Sequence, residues 1–183
     1  MMSKKPTVPK PIMKPDEERY MAFSGLIQWT NTVILQSART SAAQQYELSI
    51  INSNSAADDW RLPILDFQSE CHFFAVAAHK LIEFKDWVLE VGLCRSVNFD
   101  ELNSFDAKKI RDLRNMREHV TGYFRGFGLV PQRWILETPE FSADASSVAG
   151  TMIGGRLDWV AFGGAAERLL PQLLGLPIPY PPT

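Results

Sequence analysis

The chain has 183 residues, 45% apolar and 22% charged, with 19 basic against 21 acidic side chains and a formal charge of −2. That length suits one domain with a sizeable core, and the balance excludes a bulk polycation that coats nucleic acid or an anionic membrane. Two cysteines, Cys71 and Cys94, form no CxxC pair or Cys/His ladder, which excludes a zinc module of the usual spacing and predicts two buried thiols.

Eight of the twelve prolines lie in two short ends, Pro6 to Pro15 and Pro177 to Pro182. Each proline removes an amide donor and fixes φ, so residues 1–15 are expected to be a flexible or extended arm and 177–183 a tail of the same kind. Neither the amino end, which lacks an apolar signal region, nor any run near ~18 apolar residues points to secretion or a membrane span. The expectation is a soluble, cytoplasmic protein with no membrane contact.

Between the ends, residues 16–176 read as one domain. The first helix is predicted from Asp16 to about Leu48, opened by the acids Asp16, Glu17 and Glu18 and carrying an apolar stripe at spacings of three and four. A loop follows over Asn52–Asp59. The second helix is predicted from Asp66, its N-cap, to about Leu93, apolar over much of its circumference as a central bundle helix is, with Gly92 as its stop. The third runs from about Phe105 to Phe124 with an inner stripe of Ile110, Leu113, Met116 or Arg117, Val120 and Phe124. Gln132–Glu137 and Val148–Ile153 have strand composition and are expected to pair as a short β-hairpin over 132–153, with a loop at Pro139–Ser147 and a turn at Gly154–Gly155. A last helix is predicted over Leu157–Leu174, kinked or ended by Pro171. The fold class is therefore mainly α: an up-down helical bundle with a short β-hairpin and a C-terminal helix.

Of the three histidines, His72 reads as a packed or edge residue beside Phe73 and Phe74. His79 and Glu83, four apart, read as a helix-face hydrogen bond. No third ligand joins them, so neither a metal nor another cofactor is expected. His119 stands apart. It closes the segment Arg114-Asn115-Met116-Arg117-Glu118-His119, in which Asn115 and His119 share a helix face and Arg114 lies within reach of it. An imidazole can take or give a proton near neutral pH, and a guanidinium can hold a phosphate and stabilise charge on phosphorus. That pair cleaves a phosphodiester without a metal when the 2′-hydroxyl of RNA is the nucleophile.

An arginine followed by asparagine and, four residues after that, by histidine, on a late helix of a bundle, resembles the motif of HEPN domains; the resemblance covers about residues 16–128. It implies a helical bundle that dimerises to bring two motifs into a shared cleft. Many HEPN domains are metal-independent endoribonucleases of toxin–antitoxin, CRISPR or phage-defence systems, and others are non-catalytic. Carried onto this chain, the resemblance makes Arg114, Asn115 and His119 the catalytic candidates and a homodimer, an RNA substrate and an antitoxin or other protein the implied partners. A subset of the family's toxins carries a modifiable tyrosine two residues after the histidine. Thr121 stands there, and the nearest tyrosine is Tyr123.

Charge points to the same helix. Residues 105–126 hold six basic and three acidic side chains, a net +3, while the remainder of the chain carries −5. Lys108, Arg111, Arg117 and Arg125 are accordingly the candidate RNA- or phosphate-binding residues. Phe124, Phe127 and Trp134 follow the motif; core packing is the favoured expectation for them, with base stacking the alternative. Two function classes result: a HEPN-type endoribonuclease, or a non-catalytic helical dimer that binds a partner and uses the motif structurally.

Overall fold

The computed structural model describes residues 14–52, 66–127 and 131–179. Most of the expected amino-terminal arm, nearly all of the 52–59 loop and the last four residues of the tail lie outside them.

Helix α1 (Pro15–Asn52) opens on a proline, whose missing amide is no loss at the first helical position, and on three acids that complement the positive helix end. At 38 residues it is about 57 Å long and runs four residues past the expected end. Helix α2 (Phe67–Glu90) is capped by Asp66, whose carboxylate accepts from the Gln68 amide at 3.0 Å, and Gly92 turns the chain beyond it at φ 77°. The indole N–H of Trp87 donates to Glu18 at one end of the pair, and Arg39 meets Glu70 at the other, so α1 and α2 are antiparallel. They share the most extensive contact in the molecule. Gly25 makes it possible: a Cβ there would collide with the ring of Phe84.

A short helix α3 (Asp100–Asn103) precedes the predicted third helix, which is itself two pieces: α4 (Ala107–Glu118) and α5 (Val120–Phe124). Asp106 caps α4 by accepting from the amides of Lys108 and Lys109. Ile110, Leu113 and Met116 are buried, one turn apart, against α2 and the core. Helix α6 (Trp159–Leu174) is capped by Asp158 and returns across α1, with Pro171 inside it and Gly175 at its end. Trp159 is fully buried, edge-on to Phe67, and its indole N–H donates to Ser41 on α1. Phe162 stacks edge-on to both Phe74 and Phe105, which seals the bundle centre. Cys71 and Cys94 are free and buried as expected, and burial pushes their thiols up to about 12 and about 11.

The strand expectation needs correcting. β1 (Ile135–Glu137) pairs antiparallel with β2 (Ser142–Asp144), not with 148–153. The Thr138 hydroxyl accepts from the amides of Glu140 and Phe141, closing a tight turn inside the segment expected to be loop. Gln132–Trp134, expected as strand, belong to a 3-10 turn that begins at Pro131. Val148–Ile153 instead folds on itself as β3 (Val148–Ala149) and β4 (Met152–Ile153), and Gly154–Gly155, both at positive φ, hand β4 on to β5 (Leu157–Asp158). No helix among the described residues is long and apolar enough to cross a membrane.

Candidate functional site

The motif helix is positioned by its apolar side. With Ile110, Leu113 and Met116 turned inward, α4 presents Arg111, Arg114, Asn115 and Glu118 along its other faces. The helix then breaks at His119, at φ −109° and ψ 27°. The His119 amide still donates to the Asn115 carbonyl, and the His119 carbonyl accepts from the amides of Gly122 and Tyr123, which restarts the chain as α5. The cause is local: β-branched Val120 and Thr121 followed by Gly122 are poor helix propagators.

Arg114 is held on its own helix. It donates to the Asn115 side-chain oxygen at 2.9 Å and forms an ion pair with Glu118 at 3.0 Å. His119 is exposed, and its imidazole makes no hydrogen bond or ion pair with the described residues. The three motif residues thus occupy one turn and its end, with the arginine restrained and the histidine free.

Across the seam with α2 lies a residue that sequence reading assigned otherwise. His79 is only 8% exposed, and its Nδ1 stands 3.8 Å from Glu83 Oε1, too far for the expected hydrogen bond. Glu83 turns to Lys80 instead, at 2.7 Å. Burial pushes the His79 pKa down, and the charges of Arg114, Lys80 and Arg111 add to that against the opposing pull of Glu83. Among the described residues, two buried side-chain atoms lack a hydrogen-bond partner: His79 Nδ1 and Arg114 Nε. Both sit on the α2–α4 side of the bundle. The only signal for this in the sequence was a histidine in a helix apolar nearly all round, where burial is the rule.

Next to the seam an open groove of about 500 Å³ runs between the first turns of α2 and the end of α4. Gln68, Ser69, His72 and Phe73 form one wall, and Arg117, Val120 and Phe124 the other; Trp134 and Ser146 close it from the strand region. His72 is half-buried, edge-on to Phe73, and its pKa is pushed down by burial and then by the Arg117 charge. Arg117 reaches across the groove base, donating to the carbonyls of Ala145 at 2.9 Å and Gln68 at 2.8 Å. The core expectation fails for two of the three aromatics after the motif: Phe124 is 73% and Phe127 81% exposed. Phe124 and Tyr123 rest on Trp134, with ring centres 5.2 and 5.4 Å away.

The other candidate phosphate binders are scattered. Lys108 is paired with Asp112 at 2.8 Å. Arg111 and Arg125 are exposed and form no ion pair with the described residues, and neither is among the residues that line the groove. Among the described residues no group of three or more His, Cys, Asp or Glu side chains is placed to hold a metal ion. No family model matches this chain, and no curated protein and no solved structure matches it either.

Proposed function

We propose that the protein is a metal-independent endoribonuclease of HEPN type that works as a homodimer. The observation that carries the reading is the end of α4, where an exposed imidazole with no partner among the described residues follows, five positions on, a guanidinium fixed by its neighbouring asparagine. In the reaction a base removes the proton of the 2′-hydroxyl, O2′ bonds to phosphorus, the bond from phosphorus to O5′ breaks, and an acid protonates the departing oxygen. A 2′,3′-cyclic phosphate remains. His119 performs one of these proton transfers and its copy in the second chain the other. Arg114 stabilises the charge that builds on the phosphoryl oxygens, and Asn115 keeps the guanidinium aimed. An antitoxin or other protein partner would act by covering this end of the helix.

The assay is cleavage of single-stranded RNA in EDTA, with the new ends identified as cyclic phosphates. His119→Ala is expected to lower the rate at least about 10²-fold. Cleavage that survives this substitution unchanged refutes the assignment. A second reading, a non-catalytic dimer or interaction module, is favoured by the Arg114–Glu118 ion pair, which occupies the guanidinium within the chain. Under it, His119→Ala alters dimerisation or melting temperature while no RNA is cut by either form.

A further inference from the structure

We infer that the groove between α2 and α5 is a binding site for an unpaired nucleobase of single-stranded RNA. The inference deepens the RNA-directed reading above and rests on it for the class of ligand.

Three features of the groove carry it. Phe73, Phe124 and Trp134 supply aromatic faces, and Phe73 and Phe124 are more than half exposed, so the rings are open to a further stacking partner. The edges are polar and partly unused. The Gln68 side-chain oxygen accepts from Arg117, but its NH₂ donates to nothing among the described residues, and the His72 imidazole has no hydrogen-bond partner there. The Ser69 and Ser146 hydroxyls donate to Asp66 and Asp144, which leaves their oxygens as acceptors facing the groove. A base presents just this pairing, a flat π-face with donors and acceptors round its rim. An aliphatic side chain of a protein partner would cover the rings and leave Gln68 and His72 unpaired.

Charge selects the same ligand. Among the described residues that line the groove none is a carboxylate, and the one charged group is Arg117. Arg117 lies three residues beyond Arg114 on α4, a rise of about 4.5 Å, so a base seated here places its strand beside the motif. Stacking is tolerant of base identity, which makes the site a grip on single strands rather than a reader of sequence.

The test is fluorescence anisotropy of a labelled five-nucleotide oligoadenylate with the full-length protein. Phe124→Ala and Phe73→Ala are each expected to weaken binding roughly tenfold or more, the loss of one base–aromatic stack. Phe127→Ala, equally exposed but outside the groove, is expected to bind as the parent does. Unchanged affinity in both groove variants, or no affinity in the parent, overturns the site. Binding of a hydrophobic dye in the groove without any affinity for RNA also overturns it, in favour of a protein occupant. Loss of cleavage in His119→Ala with RNA affinity indifferent to Phe124 and Phe73 removes the groove and leaves the nuclease; affinity that depends on both rings in a protein that cuts nothing does the reverse.

Discussion

On the side of α2 that faces α1, Glu70 is buried yet fully answered. Arg39 grips both of its oxygens, at 3.1 and 2.7 Å, and Gln36 donates to one of them. On the side that faces α4, His79 and Arg114 each bury a nitrogen that nothing in the described residues satisfies. Beside them a helix breaks and aromatic rings stand in the open. Buried polar groups are normally paired, so a cluster of exceptions marks where a fold has been held to something other than stability. The first face of α2 holds the bundle together. The second face holds the candidate chemistry.

That contrast can be broken by substitution. Trp159→Ala empties the sealed side of its largest buried ring and is expected to cost about 3–5 kcal/mol, read by denaturant unfolding. Oligonucleotide affinity of the remaining folded protein should be unaltered. Arg39→Ala leaves the Glu70 carboxylate buried without its main partner and is expected to lower stability at pH 7. Hydrogen bonding from Arg39 holds the Glu70 pKa below its ordinary 4.5. The stabilisation is therefore complete above that value and is lost as pH falls through the lower, folded value. Melting curves of parent and variant should converge once the carboxylate is protonated in acid; a gap that persists there would show that the pair is not its source.

Smaller effects are expected on the other face, and one of opposite sign. His79→Leu removes a buried, unsatisfied nitrogen at similar volume and should raise stability by about 1 kcal/mol. A loss of several kcal/mol would mean that His79 has a structural partner and that the two faces do not differ. Glu118→Gln removes an exposed ion pair worth about 0.3–0.5 kcal/mol, so melting hardly moves. It frees Arg114 for phosphate and is expected to strengthen RNA binding at low salt, with no such gain for Glu83→Gln.

The helices were legible because their signals are local. Asp66 caps α2 where the pattern places its cap, and the continuous apolar surface of α2 marks it as central. Pairing of strands was not legible, since composition says which residues prefer extended backbone and not which segment they meet. The turn that decided it is made by a side-chain hydroxyl, Thr138, next to Pro139. At the site, sequence spacing put Arg114, Asn115 and His119 on one turn. It missed the helix break because the weak propagators after His119 were counted as part of a stripe. It missed the groove because Gln68, Ser69 and Ser146 carry no motif; they become a site only when distant segments are brought beside Phe124.

The two carbonyls held by Arg117 belong to Gln68 at the start of α2 and to Ala145 in the stretch after β2. One guanidinium therefore works as a tie-rod between the helical frame and the strand-rich segment. A force on the strand region is carried through that one side chain to the base of the groove.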